Sequence, residues 1–207
     1  MREACIIIGK NLNPEYAASF AKKADVVVGA DQGAAYCIRH GIHLDYAVGD
    51  FDSVTAEEKE QILSQNLIVK TLPHHKDVTD TAYVVELFKE YDRITILGGI
   101  AGDRIEHFVA NVDLLRARPN TLFLEDDDSW CVVLQNKTLE VLKKDYEYVS
   151  VFALEDATIS LTGFEYPLSH QLLRAGDPLG VSNEMVEESG KIAVESGLLL
   201  VICHKRT

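Results

Sequence analysis

Tyr46-Ala47-Val48-Gly49-Asp50-Phe51-Asp52-Ser53-Val54-Thr55-Ala56-Glu57-Glu58 holds the fold of the first half of the chain in miniature. Tyr46 to Val48 is a short apolar run of the kind that forms a buried strand, and Gly49 to Ser53 is an acidic loop. Thr55 with Glu58 is a capping box, which starts a helix over 56–65. The same order recurs on both sides. Apolar runs at Cys5-Ile8, Val26-Val28, Leu67-Val69 and Ile94-Leu97 alternate with helical stretches at 14–23, 33–40, 78–89 and 104–116, and Pro14 suits a first helical position. Strand alternating with helix predicts an open parallel α/β sheet.

From about Trp130 the pattern changes. Cys131-Leu134, Thr138-Val141, Tyr148-Ala153, Thr158-Leu161 and Leu198-Ile202 read as strands separated by turns, with no amphipathic helix between them, which predicts an antiparallel β-sandwich. The acidic run Glu125-Asp126-Asp127-Asp128-Ser129 breaks the pattern. It sets the expected boundary between an α/β domain at 1–128 and a sandwich at 129–207. Trp130, the single tryptophan, is expected to be buried at the junction, with stacking on a flat ligand as the second reading.

The 207 residues carry 33 Asp and Glu against 20 Lys and Arg, a formal charge of -13. That balance argues against nucleic acid as a partner, because binding it needs clustered cations. Ala4 to Ile8 is too short for a signal sequence and no run reaches membrane-spanning length, so cytoplasmic residence without a membrane partner is expected. Cys5, Cys37, Cys131 and Cys203 lack CxxC spacing and read as buried free thiols.

In an open parallel sheet, ligands bind beyond the carboxyl ends of the strands, and the unusual residues of the first half fall there. Asp31 follows the second strand, Asp50 and Asp52 the third, and Lys76-Asp77-Val78-Thr79-Asp80 the fourth. Carboxylates gathered in one place raise each other's pKa unless a cation sits among them, so a hard metal ion carrying phosphates is the economical explanation. Asp77 and Asp80 also fit the N-cap and N3 positions of the next helix, and the spacing does not separate the two roles. Asp50 and Asp52 have no such alternative, because Thr55 and Glu58 already start their helix. Both can reach one cation only if the loop bends at Phe51.

Gly98-Gly99-Ile100-Ala101-Gly102-Asp103-Arg104 is a glycine-rich turn from a strand into a helix, able to offer backbone N–H groups to a phosphate. Asp103 and Glu106 fit capping positions. Arg104 in a first turn opposes the helix dipole, which makes sense if an anion binds there. Lys76 fits either a phosphate contact or a solvated loop. His74, His75 and His107 read first as surface or locally bonded residues.

Taken in order, Ala30-Asp31-Gln32-Gly33-Ala34, Gly49-Asp50-Phe51-Asp52-Ser53, Lys76-Asp77-Val78-Thr79-Asp80, Gly98 to His107 with Asn111, and Gly180-Val181-Ser182-Asn183-Glu184 resemble the thiamine pyrophosphokinase family. The resemblance implies transfer of a pyrophosphoryl group from ATP to the thiamine hydroxyl, giving thiamine diphosphate and AMP. It further implies a homodimer of α/β nucleotide domains with β-sandwich domains that bind thiamine. It assigns Mg2+ to Asp50, Asp52 and Asp80, and catalysis to these with Asp77 and Arg104. ATP falls to Asp31, Lys76, Thr79, Gly99, Gly102 and Arg104, and thiamine to Glu106, His107, Ser182 and Asn183. Gln32 stands where the family usually has glycine, and Glu106 where it usually has Asp. The competing expectations are a pyrophosphokinase for another hydroxymethyl heterocycle such as a pterin, and a non-catalytic nucleotide- or thiamine-binding regulator.

Overall fold

A computed structural model describes residues 1–9, 11–73, 78–101, 104–143 and 146–205. The chain divides into two compact units, Met1–Asn111 with Leu124–Asp127, and Val112–Phe123 with Asp128–Thr207.

The first unit alternates as expected: β1 (Glu3–Ile7), α1 (Pro14–Ala21), β2 (Val26–Ala30), α2 (Gln32–Arg39), β3 (Tyr46–Gly49), α3 (Ala56–Ser64), β4 (Ile68–Thr71), α4 (Asp80–Leu87) and β5 (Arg93–Leu97). Helix α5 (Ile105–Ala117) and strand β6 (Leu122–Glu125) contribute residues to both units. Strand order in the first unit is β6-β5-β1-β2-β3-β4, and the pairings of β1 with β2 and β5, of β2 with β3, and of β3 with β4 are parallel. Strands β1, β2, β3 and β5 are buried on both faces and β4 is an exposed edge, which is why the inner strands read as continuous apolar runs.

Local signals explain the helix starts. Asn13 caps α1, accepting from the N–H groups of Glu15 and Tyr16, with Pro14 inside the first turn. Thr55 and Glu58 form the capping box of α3. Helix α4 corrects the sequence reading. Its N-cap is Thr79, whose hydroxyl accepts from the Ala82 N–H at 3.2 Å, so Asp80 is the first helical residue rather than N3. That removes the capping explanation for Asp80, while Asp77 lies outside the described residues.

The second unit is a β-sandwich. Strands β7 (Ser129–Leu134), β8 (Thr138–Leu142), β9 (Tyr148–Ala153), β10 (Ala157–Thr162), β11 (Leu168–Leu173), β12 (Asn183–Glu184), β13 (Ser189–Ser196) and β14 (Leu199–His204) form antiparallel sets ordered β12-β9-β14-β7 and β11-β10-β13-β8. Val132, Val151, Val201 and Cys203 of one set pack with Ile159, Leu161, Ile192 and Val194 of the other. Trp130 is half-buried within this unit, edge-on to Tyr146 at 5.9 Å and tilted against Phe123. All four cysteines are free and buried, as read.

Two loops of the first unit cross so tightly that neither accepts a side chain. A Cβ on Gly98, where φ is +90°, would lie 2.5 Å from the Gly9 Cα, and one on Gly9 would lie 3.0 Å from the Gly98 Cα. Gly98→Ala therefore combines backbone strain with overpacking, and we expect a loss of about 2 kcal/mol or more in chemical denaturation. A variant as stable as the parent would show that the crossing opens freely.

Candidate active site

Strand β1 lies between β2 and β5, so the connections leaving β1 and β5 diverge at their carboxyl ends. This is the switch point at which α/β sheets bind ligands. The N–H groups of Ile8 and Gly9 both donate to the Leu97 carbonyl, at 3.0 and 3.2 Å, and fix the two loops side by side. A cleft of about 630 Å³ opens there. It is lined from four successive loops: Gly9 after β1, Asp31 after β2, Asp50 and Asp52 after β3, and Gly98 and Gly99 after β5. Thr79 and Asp80 at the start of α4 complete it, with Arg104 and His107.

The acidic loop bends as the metal reading required. Phe51 has φ +55° and is only 3% exposed, its ring held in the core beneath the sheet's end. With the residue between them in the left-handed region, Asp50 and Asp52 no longer point to opposite faces, and both line the cleft. The Asp52 N–H donates to Asp50 Oδ1 at 3.2 Å. Asp31 occupies the N-cap position of α2 without capping it. Its φ is +47°, and its Oδ1 accepts instead from the Phe51 N–H at 3.1 Å. Gly49 permits this approach, since a Cβ there would lie 2.0 Å from Asp31 Oδ1.

These contacts crowd like charges. Burial, followed by the negative charge of Asp80, pushes the Asp31 carboxyl up to about 6 from its ordinary 3.8; Asp50 adds to the rise and the Phe51 N–H opposes it. Among the described residues, no group of three or more His, Cys, Asp or Glu side chains closes on a metal position as it stands. The donor set nevertheless suits a hard divalent cation. It consists of carboxylate oxygens in mutual repulsion, and such an ion needs only one or two of them when water and phosphate supply the rest.

Arg104 immediately precedes α5 and is well exposed, and its Nε donates to Glu106 Oε1 at 2.7 Å. That bond, with Arg104 as main cause, holds the Glu106 carboxyl below the ordinary range. Glu106 itself is not among the lining residues, whereas His107 is. One turn further on, buried Asn111 donates to the Gly99 carbonyl at 3.4 Å. His74, His75, Lys76, Asp77, Gly102 and Asp103 lie outside the described residues. Ser182 and Asn183 belong to the second unit. Both ends of the Asn183 amide bond the Tyr166 backbone, accepting from its N–H at 3.1 Å and donating to its carbonyl at 2.9 Å. The Ser182 N–H donates to Ser150 Oγ.

Sequence reasoning missed the framing of the cleft. Glu125-Asp126-Asp127, read only as a break, serves the loops: Asp126 accepts from the Ala101 N–H, Asp127 from the Asn13 N–H, and Glu125 from the Tyr16 hydroxyl at 2.6 Å. The available signal was three acids directly after an apolar Leu122-Phe123-Leu124 run, the same strand-then-acid pattern seen at Asp50. Gly9, Asn11 and Gln32 also line the cleft.

Residues 17–122 match the family described as thiamin pyrophosphokinase, catalytic domain, and residues 136–199 match its vitamin B1 binding domain. Thiamine pyrophosphokinase of Bacillus subtilis (strain 168) is 29% identical over 212 residues, covering 98% of each chain. A crystal structure of the Bacillus subtilis thiamine pyrophosphokinase superposes with a TM-score of 0.85 at 28% identity, covering 100% of both chains. Another, of thiamin pyrophosphokinase from Geobacillus thermodenitrificans, also gives 0.85 at 28% identity, covering 99% of this chain and 98% of that one.

The position of Asp31 has a measurable consequence. Its folded-state pKa lies above the unfolded one, so its contribution to stability is fully present below about pH 4 and is lost as pH rises through about 6. Asp31→Asn keeps an oxygen for the Phe51 N–H and cannot ionise. Without nucleotide or divalent cation, the variant is expected to melt above the parent at pH 8 and to converge with it at pH 4. An offset that does not change with pH would show that the carboxyl is not crowded.

Proposed function

The chain belongs to the thiamin pyrophosphokinase family and is an enzyme of that family, and on that premise we propose that it moves the pyrophosphoryl group of ATP to the primary hydroxyl of thiamine, releasing AMP. The observation that carries the proposal is the convergence of Asp31, Asp50, Asp52, Asp80 and Arg104 on one cleft at the sheet's switch point. The match of residues 136–199 to a vitamin B1 binding domain weighs for thiamine over a pterin.

In this mechanism the hydroxyl oxygen of thiamine attacks the β-phosphorus of ATP in line. A new O–P bond forms, the bond from the β-phosphorus to the α,β-bridging oxygen breaks, AMP departs and the hydroxyl proton is released. Such transfers depend mainly on positioning and on stabilising charge. Asp50, Asp52 and Asp80 would hold Mg2+, which when bound neutralises charge on the phosphate oxygens. Arg104, held by Glu106 at the mouth of α5, is placed to meet a phosphate with its free donors, and Glu106 thereby acts on substrate through Arg104. Gly98 and Gly99 line the cleft, their Cβ positions closed off by Gly9 and by Asn111 and Ile8, and Thr79 caps α4 so that Asp80 faces the cleft. Lys76, Asp77 and Gly102 belong to the same reading, as nucleotide and catalytic residues.

His107, which lines the cleft, keeps the thiamine role that the family resemblance implies for it. Ser182 and Asn183 complete that assignment in the second unit; with its amide committed to Tyr166, Asn183 would shape the loop more than touch the ligand. A homodimer forms part of the proposal, supported by exposed Tyr166, Leu172, Leu179, Val181 and Val186 in the second unit. No described helix is long and apolar enough to cross a membrane. Four free cysteines accord with the reducing cytoplasm.

Incubation of the purified protein with thiamine, ATP and Mg2+ is expected to yield thiamine diphosphate and AMP in equal amounts, whereas ADP would indicate an ordinary kinase and overturn the proposal. Asp52→Asn should keep the thermal midpoint and lower turnover by on the order of 100-fold. Near-normal turnover would remove Asp52 from the metal set.

A further inference from the structure

The loop from Asp50 to Ser53 is tethered at both ends by side chains to which the reaction assigns no role. Gln32, the first residue of α2, donates from Nε2 to the Ser53 carbonyl at 3.2 Å. Lys59 of α3 donates from Nζ to the Asp50 carbonyl at 3.4 Å, and its ammonium lies 5.9 Å from the centroid of the Phe51 ring. The loop needs such restraint. Its middle residue is a non-glycine in the left-handed region, which costs about 1–2 kcal/mol relative to extended backbone, and relaxing that residue would swing Asp52 away from Asp50.

The supports of both tethers are firm. Lys59 follows directly on Glu58, which closes the α3 capping box and also pairs with Arg39 near the end of α2. The two helices that carry Gln32 and Lys59 are therefore linked to each other as well as to the loop. Lys59 brings a further element, a positive charge at a loop whose Asp50 adds to the crowding of Asp31.

We propose that Gln32 and Lys59 are positioning residues for the transfer reaction, two struts that fix the backbone carbonyls at the ends of the 50–53 loop and so set the separation of the Asp50 and Asp52 carboxylates. The inference rests on the reading of those two carboxylates as cation ligands. It predicts that losing a strut weakens cation binding at Asp50 and Asp52, which the struts reach only through the backbone carbonyls of the loop, with little effect on global stability, since the Gln32 tether is exposed and the Lys59 tether only part-buried.

The test uses the full-length protein with Lys59→Met, Gln32→Met and Lys59→Arg. Mn2+ binding is followed by electron paramagnetic resonance in the presence of a non-hydrolysable ATP analogue, alongside the Mg2+ dependence of turnover and the thermal midpoint. Each Met variant should bind Mn2+ about three- to tenfold more weakly, the loss expected from one hydrogen bond, and need correspondingly more Mg2+ for half-maximal rate. The thermal midpoints should stay at the parent value, and Lys59→Arg should restore binding close to the parent. Parent-like Mn2+ affinity in both Met variants would overturn the proposal, as would equal loss in Lys59→Arg and Lys59→Met. Failure of the parent protein itself to bind Mn2+ with the analogue would overturn the cation-ligand reading, and the struts with it.

Discussion

The contact between the Asp31 carboxylate and the Phe51 N–H constrains the rest of the site. It pulls the loop after β3 against the loop after β2, and it exists only because Gly49 has no Cβ to strike Asp31 and because residues 31 and 51 both accept positive φ. Two non-glycine residues in that region cost a few kcal/mol together, roughly 1–2 each. Burying the Phe51 ring returns about 1.5–3 kcal/mol, and the hydrogen bond adds about 1. The terms nearly cancel, so the bent loop is tenable but not held by surplus. The tethers at its two ends matter for that reason.

The same contact explains where the sequence was readable and where it was not. Asp50 and Asp52 stood out because Thr55 and Glu58 already supplied the helix start, so the acids before them had no local duty. Asp31 carried no such mark. Its environment comes from Gly49, Phe51 and Asp80, residues 18 to 49 positions away, and no pattern within its own segment encodes them. Asp80 was ambiguous for the opposite reason: it fitted an N3 position behind Asp77, and spacing alone does not separate capping from chemistry, whereas in the fold Thr79 takes the cap.

At the level of fold, the inner parallel strands were legible because burial on both faces demands unbroken apolar runs. Strands β11 and β13 escaped notice. Strand β11 buries only Leu173 fully, and β13 turns Ile192 and Val194 inward between Lys191, Ala193 and Glu195, with Gly190 against the Phe164 ring. Their pairing comes from partners in the sheet rather than from their own hydrophobicity, and β-propensity is weakest as a guide in that case. The acidic run at the end of β6 holds more than the boundary read from it, for a related reason. An acid cluster at a strand end shows only a break in pattern until the loops it serves, at Asn13 and Ala101, are brought to it by the sheet.

Charge balance in the cleft supports the functional reading independently of any single residue. Among the described residues that line it, Asp31, Asp50, Asp52, Asp80 and Asp126 face one guanidinium, that of Arg104. Such a surface repels a free polyphosphate, and the whole chain, at a formal charge of -13, gives no long-range attraction to offset this. The acids would therefore be a liability in a site that took its nucleotide bare. They become an asset if the polyphosphate arrives with a divalent cation, because each carboxylate then meets positive charge and the repulsion that adds to burial in raising Asp31 is relieved rather than increased. A cleft that favours the metal-bound form of its substrate over the free form needs only this inversion of sign, and Arg104 is left to act on phosphate oxygens that the cation does not cover.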